Sequence, residues 1–124
     1  MNTTLWIIAS IFGLLSAASG IAKLVRPRQM LIDGGYAWAQ DFSDLAVKNI
    51  GLLEVFGALG LVLPGLLDTA TVLVPLAGTG LAVLMLAATV VHVRRGETKE
   101  AAVPMVLALL AAFVAIMRFG AYGL

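Results

Sequence analysis

Four largely apolar stretches, each long enough to cross a bilayer, restrict the folds that are open to this chain. We place them at residues 5–25, 42–63, 73–93 and 101–120. About 30 Å of hydrocarbon is crossed by roughly 20 helical residues. Backbone polar groups inside a bilayer must be satisfied without water, so such stretches span it as helices. The sequence therefore predicts an all-α fold, an integral membrane four-helix bundle that forms one domain over residues 1–124.

The composition argues against a water-soluble alternative. Hydrophobic residues make up 61% of the chain and charged residues 12%, against roughly half and a quarter in soluble domains. A soluble domain of this size buries only about two-thirds of its chain surface and could not hide the excess. The net charge of +1 and the lack of a long basic run also argue against nucleic acid as a partner.

The chain has no cysteine, which excludes disulfides, thiolate chemistry and iron–sulfur clusters. It has a single histidine, His92, so we expect no metal site. Haem ligation by His92 is a weak alternative, because no second histidine is present to pair with it.

Basic residues predict the orientation of the helices. Of the 8 Lys and Arg residues, all but Arg118 lie in or beside the first and third connections, residues 26–41 and 94–100. Positive charge is retained on the cytoplasmic side of a membrane. We therefore expect both connections to be cytoplasmic and both termini external, in a multi-pass protein of the inner (plasma) membrane.

Local signals predict the ends of the second helix and the setting of the first connection. Asp41 is expected to cap the start of the second helix, and Pro64 with Gly65 is expected to end it. Tyr36 and Trp38 are the amphipathic aromatic residues typical of headgroup depth.

Three ionisable residues, Lys23, Glu54 and His92, lie inside the predicted spans near their cytoplasmic ends. A charge at a helix centre costs roughly 2.5–3.5 kcal/mol on insertion scales, so we expect each of these residues to have a structural or functional role. At a rise of 1.5 Å per residue they lie about 3–9 Å inside the nearest basic flank. Helical side chains lean toward the N-terminus of their helix, and the helices alternate in direction, so the three side chains converge on one level.

Small and polar residues share the helical faces of these three side chains, which is typical of faces that pack against other helices or line a cavity. Lys23 is accompanied by Ser16, Ser19 and Gly20, Glu54 by Gly51, Gly57 and Ala58, and His92 by Met85, Ala88 and Thr89. The candidate catalytic residues are Glu54, His92 and Lys23, and the candidate ligand-binding residues are Ser19, Gly57, Met85 and Thr89.

Arg118 stands apart near the external end of the last helix. We expect it to extend to the membrane interface and to contact Asp68, in a structural or secondary role. Small residues recur four apart, as at Ala111 and Ala115, and fit helix packing within the bundle or in a homo-oligomer.

Two interpretations of the polar cluster remain open. In the structural one, Lys23 neutralises Glu54, His92 donates a hydrogen bond, and the network fixes the helix register. In the functional one, a polar pocket opens to the cytoplasmic leaflet. Glu54 would accept a proton there, His92 would donate one or bind a head group, and Lys23 would bind an anion or a carbonyl.

The same residues fall in a pattern along the chain. It consists of Gly20-x-x-Lys23-Leu24, of Ile50-Gly51-x-x-Glu54-x-x-Gly57-Ala58-x-Gly60-Leu61 ending at Pro64, and of Met85 leading to His92-x-Arg94-Arg95-Gly96-Glu97, with Arg118 in the last helix. This pattern resembles the DoxX-like family of four-helix bacterial membrane proteins over nearly the whole chain. The resemblance implies a link to membrane redox and thiol-stress complexes. The family takes its name from a subunit associated with thiosulfate:quinone oxidoreductase, and distant relatives of the family act as assembly chaperones or carry thiol redox chemistry.

We therefore expect a membrane module that binds a hydrophobic small molecule, quinone-like or a lipid, or a partner protein at the Lys23, Glu54 and His92 cluster, in redox or stress metabolism. Because the chain lacks cysteine, any thiol exchange would belong to a partner. One alternative is a stand-alone membrane enzyme that acts on an epoxide, isoprenoid or other lipid by acid–base catalysis. Another is a structural or chaperone subunit. No cofactor is evident, although a quinone fits the resemblance.

Overall fold

Each of the four apolar stretches forms one long helix in the computed structural model, which describes all 124 residues. All four helices are long and apolar enough to cross a membrane, and no strand is present. The predicted all-α membrane bundle is confirmed. The elements are α1 (Asn2–Val25), α2 (Arg28–Asp33), a 3-10 helix (Ala37–Asp41), α3 (Asp44–Leu67), α4 (Leu73–Arg94) and α5 (Thr98–Phe119).

The long helices pack as two pairs, α1 along α3 and α4 along α5, and α3 joins the pairs by packing on α4. Glycines let the α1 and α3 backbones approach closely at one point. A Cβ atom added at Gly20 would lie 2.6 Å from the carbonyl oxygen of Gly51, and one added at Gly51 would lie 2.8 Å from that of Gly20. Only residues without a side chain fit this crossing, which lies beside Lys23 and Glu54.

The two ends of the bundle are each held together by side-chain contacts. At one end, Arg118 of α5 bonds Asn2 of α1, and Thr71 donates to the carbonyl oxygen of Leu124. At the other end, Arg95 after α4 pairs with Asp41 of the 3-10 helix at 2.6 Å. We call the first the terminal end and the second the loop end. Both chain ends therefore lie on the same side of the bundle.

The ends of α3 differ from the sequence prediction. Ser43, not Asp41, caps its start, because the Ser43 hydroxyl accepts a 3.0 Å hydrogen bond from the Ala46 amide. Pro64 lies inside the helix, which continues to Leu67 and ends where Asp68 adopts a left-handed φ of 50°. Neighbouring helices let an apolar span tolerate an internal proline, so Pro64 does not end α3.

The first connection is ordered rather than extended. The Arg28 side chain donates hydrogen bonds to the carbonyl oxygens of Ala39, Gln40 and Phe42, which hold α2 against the 3-10 helix. Leu31, Ala39 and Val47 form a small separate core beneath it. The connection thereby becomes a folded cover at the loop end.

The glycine crossing yields a stability prediction. We expect Gly20→Ala to lower the free energy of unfolding by about 1–3 kcal/mol, the usual effect of overpacking, because the new methyl group meets the Gly51 carbonyl. The matched control is Gly80→Ala, where a Cβ meets nothing within 4 Å. Thermal unfolding of the purified proteins in detergent measures both. Equal melting temperatures for the two variants would contradict the close approach.

Candidate functional site

The polar centre of the bundle is an ion pair between α1 and α3. Lys23 Nζ lies 2.5 Å from Glu54 Oε1, and the two residues are only 5% and 4% exposed. Lys23 Nζ also donates to Ser19 Oγ at 2.6 Å, and Ser16 Oγ donates to the Glu54 backbone carbonyl at 2.8 Å. The glycine crossing beside the pair brings the helices close enough for these contacts.

Aromatic residues of the first connection cover the ammonium group. Lys23 Nζ lies 5.1 Å from the ring centroid of Tyr36 and 5.6 Å from that of Trp38, which is within the range of cation–π attraction. Phe42 packs edge-on to Trp38 at 5.7 Å. Tyr36 and Trp38, expected at headgroup depth, thus have a role in the site that sequence reasoning missed. Only the fold of the connection directs the rings inward.

His92 does not join the ion pair directly. Its Nδ1 lies 2.9 Å from Glu97 Oε1, and Glu97 also accepts a 3.3 Å hydrogen bond from Arg95 Nε. The turn at Gly96, with a φ of 74°, folds Glu97 back under the imidazole. The hydrogen bond from His92 lowers the pKa of Glu97 below its ordinary value, and the positive charge of Arg95 lowers it further.

The Lys23, Glu54 and His92 side chains line one cavity of about 520 Å³ at the loop-end half of the bundle. Leu15 of α1 and Val103 of α5 also line it and are 54% and 64% exposed. The cavity therefore reaches the outer surface between these two loosely packed helices. The other lining residues are mostly apolar and include Phe12, Ile50, Leu84, Met85, Ala88 and Leu107.

Two polar atoms of this cavity have no partner within the protein. Glu54 Oε2 and His92 Nε2 make no hydrogen bond, since the contacts of these side chains use Oε1 and Nδ1. No polar side-chain atom in the fold is both buried and unpaired, so both atoms are accessible. A carboxylate only accepts hydrogen bonds, so Nδ1 carries the proton of the Glu97 contact. In a neutral imidazole Nε2 is then an acceptor.

The four candidate ligand-binding residues divide into two pairs. Ser19 and Met85 line the cavity. Gly57 faces α4 instead, where an added Cβ would lie 2.6 Å from Leu81 Cδ2. Thr89 is buried and donates to the Met85 carbonyl within α4 at 2.9 Å. Gly57 and Thr89 thus lie outside the cavity, at positions where the helix faces pack.

Arg118 lies at the terminal end, away from the cavity. Its Nη1 donates to Asn2 Oδ1 at 2.6 Å and to the Tyr122 carbonyl at 2.9 Å. The expected contact with Asp68 is not made, and the residue is 6% exposed instead of extending into solvent. The N-terminal turn of α1 supplies its partner, which helix spacing alone could not indicate.

Lys48 is a further residue of the site that sequence reasoning missed. Its Nζ donates to the carbonyl oxygens of Lys23, Leu24 and Arg26 at 2.9, 3.1 and 2.8 Å. These are carbonyls at the end of α1, which lack helical partners and carry the negative end of the helix dipole. Lys48 therefore fixes the end of the helix that carries Lys23. No signal in the sequence pairs an α3 lysine with α1 carbonyls.

No three His, Cys, Asp or Glu side chains are grouped so that they could hold a metal ion. The sequence pattern that defines the DoxX-like family matches residues 7–114, a range that includes the ion pair and His92 but not Arg118. No curated protein and no solved structure matches the chain. Because the family match covers most of the sequence and four helices are able to cross a membrane, the chain is a multi-pass membrane protein of the DoxX-like family.

Proposed function

We propose that this protein binds a lipid-soluble small molecule, quinone-like or a lipid, in the cavity, with the polar head group against Lys23 and Glu54. The observation that carries the proposal is a mostly apolar cavity with an unpaired carboxylate oxygen at its polar end. A volume of about 520 Å³ falls in the range of small-molecule sites, roughly 300–1,000 Å³. A structural ion pair alone would require no cavity.

The unpaired atoms define the head group that fits. An ammonium group has three N–H donors, and those of Lys23 that contact Ser19 and Glu54 leave one for a carbonyl or hydroxyl oxygen of the ligand. Glu54 Oε2 and His92 Nε2 are acceptors and favour a hydroxyl donor. A head group that carries oxygen atoms able to accept and to donate, as in a quinol or a lipid alcohol, therefore matches the site best.

The apolar part of the ligand would lie along Phe12, Leu84 and Leu107 and leave the bundle between Leu15 and Val103. Its source would then be the bilayer itself, because this opening faces the lipid-exposed side of α1 and α5. The excess of Lys and Arg at the loop end supports an orientation with this end cytoplasmic. The site would thus receive ligand from the cytoplasmic leaflet of the inner membrane.

The resemblance to the DoxX-like family supports a place in redox or stress metabolism. Because the chain has no cysteine, a thiol step would take place in a partner protein. Binding of a lipid-soluble redox carrier, by contrast, needs only the residues present.

A second candidate, acid–base catalysis on a bound epoxide or isoprenoid lipid, is favoured by the contact between His92 and Glu97. This contact fixes the proton on Nδ1 and leaves Nε2 accessible in the cavity that Glu54 also lines. Glu54 would accept a proton, His92 in its doubly protonated form would donate one from Nε2, and Lys23 would stabilise an oxyanion. Turnover of such a lipid by the purified protein alone would support catalysis, and activity that appears only with a partner protein would contradict it.

Filling the cavity should block binding. We expect Ala88→Leu, which projects into the cavity, to weaken binding of a short-chain quinol about tenfold, since overpacking by about 1.4 kcal/mol has that effect. Quenching of Trp38 fluorescence reports binding, because Trp38 lines the cavity, and Trp6→Phe removes the second tryptophan signal. The matched control is Ala18→Leu, on the exposed face of α1. Equal affinities in the two leucine variants would place the ligand elsewhere.

The ion pair can be tested separately for structural and binding roles. Glu54→Gln leaves the buried Lys23 ammonium unneutralised, and we expect it to lower the stability of the bundle by about 3–5 kcal/mol. In the double variant Lys23→Met with Glu54→Gln no buried charge remains, so most of that stability should return. Quinol binding should nevertheless stay at least tenfold weaker, since charged hydrogen bonds contribute about 1.5–3 kcal/mol. A stable double variant with wild-type affinity would leave the pair a purely structural role.

A further inference from the structure

The terminal end of the bundle holds a buried cation that the proposed function does not use. Arg118 is 6% exposed and lies in the last turn of α5. Its two hydrogen bonds, to the side chain of Asn2 and the carbonyl of Tyr122, go to neutral acceptors. None of the ion pairs of the fold includes Arg118. Its positive charge is therefore not neutralised by the protein.

The acidic residues offer no compensation at this end. Asp68, after α3, is the one acidic side chain of the terminal end, and it makes no ion pair with Arg118. The other acidic residues lie at the loop end or in the ion pair with Lys23. A buried charge without a counter-charge is costly, so an anion from outside the chain would stabilise this site.

Donors on Arg118 remain available for such an anion. The protein contacts use Nη1 alone, so Nε and Nη2 make no hydrogen bond within the chain. No polar side-chain atom of the fold is both buried and unpaired, and these two nitrogens are therefore accessible. Nε–H and Nη2–H form the edge of a guanidinium that binds the two oxygens of a phosphate or carboxylate in parallel.

The surroundings hold the guanidinium in place before any ligand arrives. Its Cζ lies 5.7 Å from the ring centroid of Trp6, and the Trp6 ring in turn packs on Gly65 of α3, where an added Cβ would come within 2.7 Å of it. Asn2, in the same helix as Trp6, and Tyr122, which follows α5, fix Nη1. A cation held by α1, α3 and α5 loses little freedom on binding, which favours affinity.

We propose that Arg118 is a phosphate-binding site that holds the head group of a phospholipid in the leaflet at the terminal end. Arg118 lies one residue from the end of α5, close to the depth at which an apolar span meets the head groups. The shared chemistry is a phosphate oxyanion, from a phospholipid or from solution. The proposal is independent of ligand binding in the loop-end cavity.

Lipid retention measured by native mass spectrometry tests the site. The intact protein in detergent is titrated with phosphatidylglycerol, with phosphatidylcholine and with diacylglycerol of the same acyl chains, which lacks the phosphate. We expect the wild-type protein to retain one phospholipid at least tenfold more tightly than diacylglycerol, since a charged hydrogen-bonded pair accounts for such a factor. Arg118→Gln should lose this preference, and Arg118→Lys should keep part of it, because lysine keeps the charge but not the parallel donors.

Arg94→Gln is the matched control, because Arg94 is an exposed cation at the loop end and its loss should leave the preference unchanged.

A second measurement compares melting temperatures in sodium phosphate and sodium chloride at equal ionic strength. A shift with phosphate in the wild type but not in Arg118→Gln, without lipid preference, would identify solution phosphate as the source. If Arg118→Gln fails to fold, the test rests on the phospholipid preference of the wild type and on the partial loss of that preference in Arg118→Lys. Equal retention of phospholipid and diacylglycerol by the wild type, with no phosphate shift, would overturn the proposal.

Discussion

A single ion pair, Lys23 with Glu54, sets the arrangement of the loop-end half of this membrane bundle. Two opposite charges with 5% and 4% exposure can be held inside an apolar bundle only if their geometry is close and their remaining atoms find partners. The crossing at Gly20 and Gly51 supplies the closeness, and Lys48 fixes the end of α1 through backbone carbonyls. The ion pair therefore depends on how α1 and α3 cross and not on the two side chains alone.

The rest of the site follows from what surrounds the pair. The first connection covers the ammonium with Tyr36 and Trp38. The turn at Gly96 directs Glu97 to His92, and the imidazole makes its hydrogen bond there and none with Glu54. One oxygen of Glu54 thus stays unpaired beside a mostly apolar space that reaches the outer surface between α1 and α5.

Much of the fold and part of the site could be predicted from the sequence. Span length and composition indicate four helices, because a bilayer imposes both. The depth of Lys23 and Glu54 in their spans, together with the lean of helical side chains toward the N-terminus, placed the two groups at one level. The partner of His92 could not be predicted, since it depends on a left-handed turn after α4. Likewise, the roles of Ser43, Lys48 and Asn2 depend on which segments meet at the bundle ends. Gly57 and Thr89 share helical faces with the site, but a face is wider than the cavity, and both positions pack against neighbouring atoms instead.

The proposed binding mode requires that Glu54, while paired with Lys23, present its second oxygen to the ligand. Infrared difference spectroscopy of the purified protein, before and after addition of a short-chain quinol, observes carboxylate vibrations directly. We expect a shift of a carboxylate band on ligand addition that is present in the wild type and absent in Glu54→Gln. Saturable binding with no change in any carboxylate band, or the same band shift in Glu54→Gln, would contradict it.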